Sequence, residues 1–194
     1  TYVINDRYRE TNTGYSLMLA SEAIGTAEFV KFDADVVFDV KILRQLLDSD
    51  HANVLCIDRN IALEDEEVKV IASDQMQVLE VGKSVDPKLA LGESIGIEKI
   101  SAGTGALLFT ELSEMMESRG NLQAYYEAAY ARLVDQGTQF HALDISGLDW
   151  TEIDTAIDFA AANAMFSSPV TTISRDQQKV LDEAAEEAPI QTHV

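Results

Sequence analysis

Apolar positions along this 194-residue chain recur with two periods, one typical of helices and the other of strands. Apolar residues spaced three and four apart predict helices over residues 13–24, 40–47, 105–117, 122–136 and 155–166. Short alternating or wholly apolar runs predict strands over residues 2–5, 29–32, 53–58, 67–72, 77–81, 94–101, 140–145 and 150–153. Strands that alternate with helices predict an α/β domain with a mixed, mostly parallel sheet.

The pattern changes after residue 166. Residues 167–172 are polar, and Ser174 with Gln177 forms the capping-box signature of a further helix. That helix has only a thin apolar stripe, which is typical of a peripheral element. We therefore predict one domain over residues 1–166, followed over residues 167–194 by a linker and a peripheral C-terminal helix.

Composition excludes several classes of protein. The hydrophobic fraction of 46% and mean hydropathy of −0.05 are typical of globular chains and not of disordered ones. With 14 basic and 34 acidic residues, a net charge of −20, the chain offers no broad basic face for nucleic acid. No apolar run approaches the ~20 residues of a membrane span, and no secretory signal pattern is present, so we expect a cytoplasmic location. The single cysteine, Cys56, excludes an internal disulfide framework.

Two phosphate-binding patterns are incomplete. The run VGKS at residues 81–84 lacks the upstream glycine of a P-loop, because Gln77 stands at that position. The run GTGALL at residues 103–108 ends in Leu108, where a dinucleotide fingerprint needs a small residue. The three histidines show no ligand spacing, and no GxSxG elbow favours a hydrolase.

Two acidic motifs follow predicted strands. Asp33-Ala34-Asp35 comes directly after an apolar strand, and WTEIDT at residues 150–155 places Asp154 before the last predicted helix. Ligands gather at the carboxyl ends of strands in α/β sheets, and two carboxylates can hold Mg²⁺ with water and phosphate as its other ligands. The alternative is that Asp35 is a turn residue and Asp154 a helix cap.

Five motifs resemble one known family in the same order along the chain. They are N-x-x-Y-x-x-T-N-x-x-Y-S-L from Asn5, DADVVFD from Asp33, GESIGI from Gly92, N-x-x-x-Y-Y-E from Asn121, and WTEIDT from Trp150. Together they resemble the phosphocholine cytidylyltransferase-like branch of the sugar-phosphate nucleotidyltransferases, whose relatives include 2-aminoethylphosphonate and inositol-phosphate cytidylyltransferases. The resemblance spans about residues 5–166.

The resemblance implies a fold, a reaction and a set of residues. The fold would be a Rossmann-like (GT-A-like) nucleotidyltransferase core with helices on both faces of the sheet. The reaction would be transfer of a cytidylyl group from CTP to a small phosphorylated acceptor, with release of pyrophosphate. The implied residues are Asp35 and Asp154 for the catalytic Mg²⁺, Asn12, Ser16 and Asp33 for the nucleotide, and Lys83, Glu93, Tyr126, Glu127 and Glu152 for the acceptor. For Lys83, an exposed lysine at a strand end is the alternative.

The chain departs from the family in one respect. Relatives begin with a glycine-rich loop and a lysine that hold the triphosphate, on two βα units of the order of 60 residues. Nothing here matches those units, and the chain starts at Thr1 without methionine. We therefore expect a piece of a longer enzyme that is inactive by itself. Upstream coding sequence with a glycine-rich loop would favour catalysis, and its absence would favour a non-catalytic regulatory or interaction domain.

The acceptor stays open at this stage. A quaternary ammonium such as choline needs an aromatic cage, and the candidates are Tyr125, Tyr126, Tyr130 and Trp150. The ammonium of an aminoethylphosphonate needs carboxylates, and the candidates are Glu93, Glu127 and Glu152. The other enzyme class is a sugar-1-phosphate nucleotidyltransferase that uses another nucleotide. A homodimer or a fusion to a further domain is compatible with each.

The acidity predicts a response to salt. Repulsion among 34 carboxyl groups destabilises the compact state at low ionic strength, and screening at molar salt removes it. If the source is salt-adapted, thermal unfolding of the complete protein will shift upward between 0.1 and 3 M KCl, and by more than a matched neutral homologue. An equal shift in both proteins would mean that the charge serves only solubility.

Overall fold

A computed structural model of the chain describes residues 1–64, 67–118 and 120–167. The chain divides into two compact units, Thr1–Glu152 and Ile153–Val194. The predicted domain boundary after residue 166 stays a prediction. The predicted linker beyond Ser167 and the helix that follows it lie outside the described residues.

Most helices and strands lie close to where the sequence pattern predicts them. The helices are α1 (Thr13–Leu19), α2 (Ser21–Ile24), α3 (Val40–Asp48), α4 (Ala102–Ser113), α5 (Glu127–Asp135) and α6 (Ala156–Phe166). A π-helical turn, Glu114–Ser118, extends α4. The strands are β1 (Phe29–Phe32), β2 (Val36–Phe38), β3 (Val54–Asp58), β4 (Lys69–Ala72), β5 (Val78–Gly82), β6 (Gly92–Ile100), β7 (His141–Asp144) and β8 (Trp150–Glu152).

Six strands form one sheet in the order β5-β4-β6-β3-β7, with β1 also paired to β6. Strands β2 and β8 form a separate antiparallel pair. The mixed α/β class is confirmed, but the expectation of mostly parallel pairing is wrong, because among the described strands only β3 and β7 pair in parallel. The reason lies in the connections. The described residues contain no helix between β3, β4, β5 and β6, whereas α4 and α5 supply the crossover that a parallel return to β7 requires.

Helices cover both faces of this sheet, as expected. On β3, Leu55 and Ile57 face a core formed with α4 and α5, whereas Val54 and Cys56 face a second core formed with α3. Alternate residues of a strand point to opposite faces, so an entirely buried strand such as β3 is apolar throughout. The free Cys56 is buried there as a small apolar residue.

Three predicted elements differ in the structure. Residues 2–5 form no strand, and Tyr2 is almost completely exposed. The predicted helix over residues 13–24 is interrupted at Ala20. The predicted helix over residues 122–136 begins only at Glu127, because Leu122 and Ala124 accept backbone hydrogen bonds from the start of α1 instead of from their own helix.

The described part of the second unit is the short segment that ends in α6. Thr155 is the N-cap of α6 and forms a capping box with Asp158. Asp154 is therefore not the cap. Ala162 is the only buried residue of α6, so this helix adds little to a hydrophobic core. Within residues 1–64, 67–118 and 120–167, no helix has the length and apolar character to cross a membrane.

A glycine positions the turn that follows β1. Gly96 lies in β6 with φ of +71°, at the irregularity where the register between β3 and β6 shifts. Its carbonyl accepts the hydrogen bond of the Asp33 amide at 2.9 Å. A side chain at Gly96 would collide with the Asp33 carboxylate, so both the backbone conformation and the available space require glycine.

We predict that Gly96→Ala lowers the free energy of unfolding by about 1–3 kcal/mol, because an L side chain is strained at this φ. Urea unfolding measures the change. Gly103→Ala is the matched control, because Gly103 lies in α4 at an ordinary φ with open space around its Cα. Equal effects of the two substitutions would contradict the role assigned to Gly96.

Candidate functional site

Three strands end at the same edge of the six-stranded sheet. Both β1 and β3 run antiparallel to β6, and β7 runs parallel to β3, so the carboxyl ends of β1, β3 and β7 share a direction. An aspartate lies at or directly after each end: Asp33 for β1, Asp58 for β3 and Asp144 for β7. The edge at which α/β proteins bind ligands is thus lined by carboxylates.

Asp33 is held by two side chains. The Tyr126 hydroxyl donates a hydrogen bond of 2.6 Å to Asp33 Oδ2, and Lys31 Nζ lies 2.9 Å from Asp33 Oδ1. The Lys31 ammonium also lies 3.2 Å from Glu98 Oε2 and 3.5 Å from the centre of the Tyr126 ring. Charge-assisted contacts and a cation–π contact therefore orient this lysine together with Asp33.

Strand register explains this cluster. Lys31 of β1 lies directly opposite Glu98 of β6, and both side chains point to the core formed by α4 and α5. Tyr126 and Glu127, at the start of α5, cover them from above the sheet. We call Lys31, Asp33, Glu98, Tyr126 and Glu127 the lysine cluster.

The lysine cluster holds more negative than positive charge. Glu98 is 1% exposed, and burial raises its pKa to about 7, with Asp33 and Glu127 raising it further and Lys31 opposing the shift. Burial likewise raises the pKa of Glu127. Glu98 Oε1 and Glu127 Oε2 accept no hydrogen bond from the described residues, and Glu98 Oε2 has only the ion pair with Lys31. These carboxyl groups are therefore easier to protonate than ordinary ones.

A second acidic group lies further along the same edge. Asp58 of β3 is opposite Glu93 of β6, and Trp150 Nε1 donates a hydrogen bond of 2.8 Å to Asp58 Oδ2. Burial raises the pKa of Glu93 to about 7, and the charges of Glu152, Glu67 and Asp58 add to the shift. Buried Lys69, opposite Glu93 on β4, opposes it. Glu93 and Glu152, two of the expected acceptor residues, therefore interact with each other.

The two expected nucleotide residues of α1 have structural partners. Asn12 is the N-cap of α1 and accepts the hydrogen bond of the Thr13 amide. Ser16 accepts a hydrogen bond of 3.0 Å from the Asn5 side chain. The Thr13 hydroxyl accepts the Tyr126 amide at 3.3 Å, so the start of α1 lies against the lysine cluster. Asn12 and Ser16 as nucleotide ligands stay a prediction.

The expected metal pair is divided between the two units. Asp35 is exposed in the turn between β1 and β2, whereas Asp154 precedes α6 in the second unit. Their shared Mg²⁺ stays a prediction. In the described ranges no three His, Cys, Asp or Glu side chains converge on a metal-sized site, but a pair of aspartates with water and phosphate suits the oxygen preference of Mg²⁺.

The aromatic candidates do not form a cage. The Tyr126 ring is covered by Lys31, and the Tyr125 ring lies 4.7 Å from Lys83 Nζ, which follows β5. Tyr130 is buried edge-on to Tyr126, and Trp150 packs in the α3 core. These four rings therefore lie in different environments.

Sequence reasoning missed Lys31, Glu98, Arg59 and Asp144. Charged residues inside the apolar runs FVKF and SIGIEKI were the available signal for Lys31 and Glu98, because a charge in a buried strand needs a partner. Arg59 and Asp144 gave no such signal. They lie just past and at the ends of β3 and β7, and only the parallel pairing of those strands brings them together.

Comparison with solved structures identifies the fold. The chain superposes on the inositol-1-phosphate CTP transferase from T. maritima with a TM-score of 0.66 and 18% identity, over 83% of this chain and 63% of that one. It superposes on the CTP:phosphocholine cytidylyltransferase from Streptococcus pneumoniae with a TM-score of 0.67 and 20% identity, over 82% and 66%. A UDP-glucose pyrophosphorylase gives a TM-score of 0.61 at 14% identity, over 79% and 61%. The chain therefore has the fold that these three enzymes share.

The chain spans less than two thirds of the length of each of these solved chains. No protein-family model and no curated protein matches the sequence. The structural resemblance expected from the sequence motifs is confirmed at the level of the fold.

We predict that Glu93→Gln stabilises the protein at alkaline pH. The folded pKa of about 7 lies above the unfolded value of 4.5, so ionisation of Glu93 destabilises the fold increasingly as the pH rises from 4.5 through 7. The side-chain amide of glutamine cannot ionise, so the variant does not lose this stability as the pH rises. The gain in free energy of unfolding should be roughly 1–3 kcal/mol larger at pH 8 than at pH 4.5.

Denaturant unfolding at the two pH values measures that difference. Glu80→Gln on β5 is the matched control, because Glu80 is exposed. A gain for Glu93→Gln that does not depend on pH would contradict the unfavourable ionisation of Glu93.

Proposed function

We propose that this protein transfers a nucleotidyl group from a nucleoside triphosphate, with CTP as the favoured donor, to a small phosphorylated acceptor. Two of the solved structures with this fold are an inositol-1-phosphate CTP transferase and a CTP:phosphocholine cytidylyltransferase. The motifs quoted from the sequence resemble the same branch. Transfer of a nucleotidyl group needs positioning and neutralisation of phosphate charge more than covalent chemistry, and a rigid edge of carboxylates suits this reaction because it can hold a cation.

The observation that carries the proposal is the turn at Asp33–Asp35. Asp33 is anchored by Tyr126, Lys31 and the Gly96 carbonyl, whereas Asp35, two residues on, is exposed. An anchored first aspartate fixes the backbone that carries the second one. Asp35 is thereby exposed at the carboxyl end of β1, and no described residue forms a hydrogen bond or ion pair with its carboxylate that a metal would have to displace.

Asp35 and Asp154 would hold Mg²⁺ in this proposal. The bound cation would neutralise phosphate charge and orient the triphosphate for in-line attack. Asp33 would position Asp35, and the start of α1 beside Tyr126 would lie near the base of the nucleotide. Lys83 would contribute a positive charge to the phosphorylated substrate.

The acceptor we favour carries a primary ammonium or no cation, in preference to choline. Recognition of a quaternary ammonium depends on open aromatic faces. The Tyr126 ring is covered by Lys31, the Tyr125 ring lies beside Lys83, and Tyr130 is buried. Glu93 and Glu152 supply the carboxylates that a primary ammonium would need, with Glu127 at the lysine cluster.

Pyrophosphate release by the full-length protein tests the proposal. The assay combines CTP, UTP or dTTP with phosphocholine, phosphoethanolamine, 2-aminoethylphosphonate or glucose 1-phosphate in the presence of Mg²⁺. Release with CTP and an amino-bearing acceptor is the expected result. Preference for glucose 1-phosphate would assign the protein to the sugar-1-phosphate class, and no release with any pair would favour a non-catalytic domain.

We predict that Asp35→Asn and Asp154→Asn each lower turnover by about a hundredfold or more, because each removes a charge that holds the metal and stabilises the transition state. The unfolding midpoint of the Asp35 variant should change little, since its side chain is exposed. Asp74→Asn, in the exposed turn between β4 and β5, is the matched control and should keep full activity. Unchanged turnover in Asp35→Asn would contradict the metal assignment.

A further inference from the structure

An open cleft of about 370 Å³ lies at the carboxyl ends of β3 and β7, the parallel strand pair. It is lined by Arg59, Asn60, Leu91, Asp144 and Ser146. The resemblance to known enzymes assigned no role to any of these residues. Their position is nevertheless the one at which parallel strands present ligand-binding side chains.

The loops after the two strands hold each other through a short hydrogen-bonded circuit. The Arg59 amide donates to Ser146 Oγ at 2.8 Å, and the Ser146 amide donates to Asp144 Oδ1 at 3.0 Å. Arg59 Nη1 donates to Asp144 Oδ2 at 3.2 Å and so closes the circuit. The guanidinium group is thus fixed at one nitrogen by a carboxylate whose two oxygens each accept a hydrogen bond.

The polar groups of the cleft that are not used in this circuit are mainly hydrogen-bond donors. A guanidinium has five N–H donors, and only Nη1 of Arg59 has a described partner. Ser146 Oγ already accepts a hydrogen bond, so its O–H is available to donate. The side-chain NH₂ group of Asn60 adds two further N–H donors. Asp58, the nearest carboxylate along the chain, accepts from Trp150 and from the Asn60 backbone.

We propose that this cleft binds a tetrahedral phosphate or phosphonate group, and that the group belongs to the acceptor; this second assignment rests on the proposed function. A planar guanidinium held by an aspartate is well suited to bind oxyanions through two hydrogen bonds, which an ammonium cannot do in the same geometry. Arg59 is the binding residue, and Asp144 is the positioning residue that holds the Arg59 guanidinium at the carboxyl ends of β3 and β7.

The chain supplies a matched control for overall charge. In a protein of net charge −20, removal of any cation weakens the binding of any anion to some extent. Arg44 is an exposed arginine on α3 and does not line the cleft. Arg59→Gln and Arg44→Gln therefore remove the same charge from the cleft and from a remote helix, respectively.

The site can be tested without an activity assay by titrating the full-length protein with inorganic phosphate. Calorimetry and the backbone amide NMR signals of Asn60 and Ser146 report the binding. Saturable binding is expected. Arg59→Gln should lower the affinity for phosphate at least tenfold, and Arg44→Gln should lower it less than twofold. Arg59→Lys keeps the charge but should recover only part of the affinity. Ser146→Ala, which removes one donor and leaves Arg59 in place, should weaken binding more modestly.

Three results would overturn the proposal: no saturable phosphate binding, equal losses in Arg59→Gln and Arg44→Gln, or full recovery in Arg59→Lys together with no effect of Ser146→Ala. Comparison of phosphoethanolamine with CTP, both in the absence of metal, then assigns the source of the group. Arg59-dependent binding of phosphoethanolamine supports the acceptor, and Arg59-dependent binding of CTP alone overturns that assignment. Phosphate binding at the cleft without pyrophosphate release would refute the proposed function and leave the anion site standing.

Discussion

The contacts of the buried Lys31 ammonium organise the acidic edge of the sheet. A cation at this depth is stable only if nearby groups replace its lost hydration, and here Asp33, Glu98 and the Tyr126 ring do so. Each of these groups belongs to a different element: the turn after β1, strand β6 and the start of α5. One charge therefore fixes the relative positions of three parts of the fold.

The same contacts explain why Gly96 and Asp33 occur together. Asp33 can reach both Lys31 and Tyr126 only because β6 passes close to it without a side chain at residue 96. The local irregularity in β6 shifts the register relative to β3, whereas the pairing of β6 with β1 is regular and sets Glu98 opposite Lys31. Backbone geometry at one glycine is thus coupled to the electrostatics of the turn that carries Asp35.

The edge also carries charge that the fold itself does not need. Burial raises the pKa of Glu93 to about 7, so the ionised Glu93 carboxylate opposes folding at neutral pH. Carboxyl groups with raised pKa values are common at functional sites, which agrees with the acceptor role proposed for Glu93. A second charged pair, Arg59 with Asp144, lies at the ends of the parallel strands and extends the polar edge beyond the lysine cluster.

Local patterns in the sequence determined much of the architecture, and long-range contacts determined the site. Strand β1, the capped helix α3 and the alternation of strands with helices follow from apolar spacing and from Asp39 as a cap, which are short-range effects. Strand direction, the late start of α5 at Glu127 and the lack of a strand over residues 2–5 depend on partners far along the chain. For the same reason Lys31 and Glu98, 67 positions apart in the numbering of the chain, became a pair only through the register of β1 and β6, which no local pattern encodes.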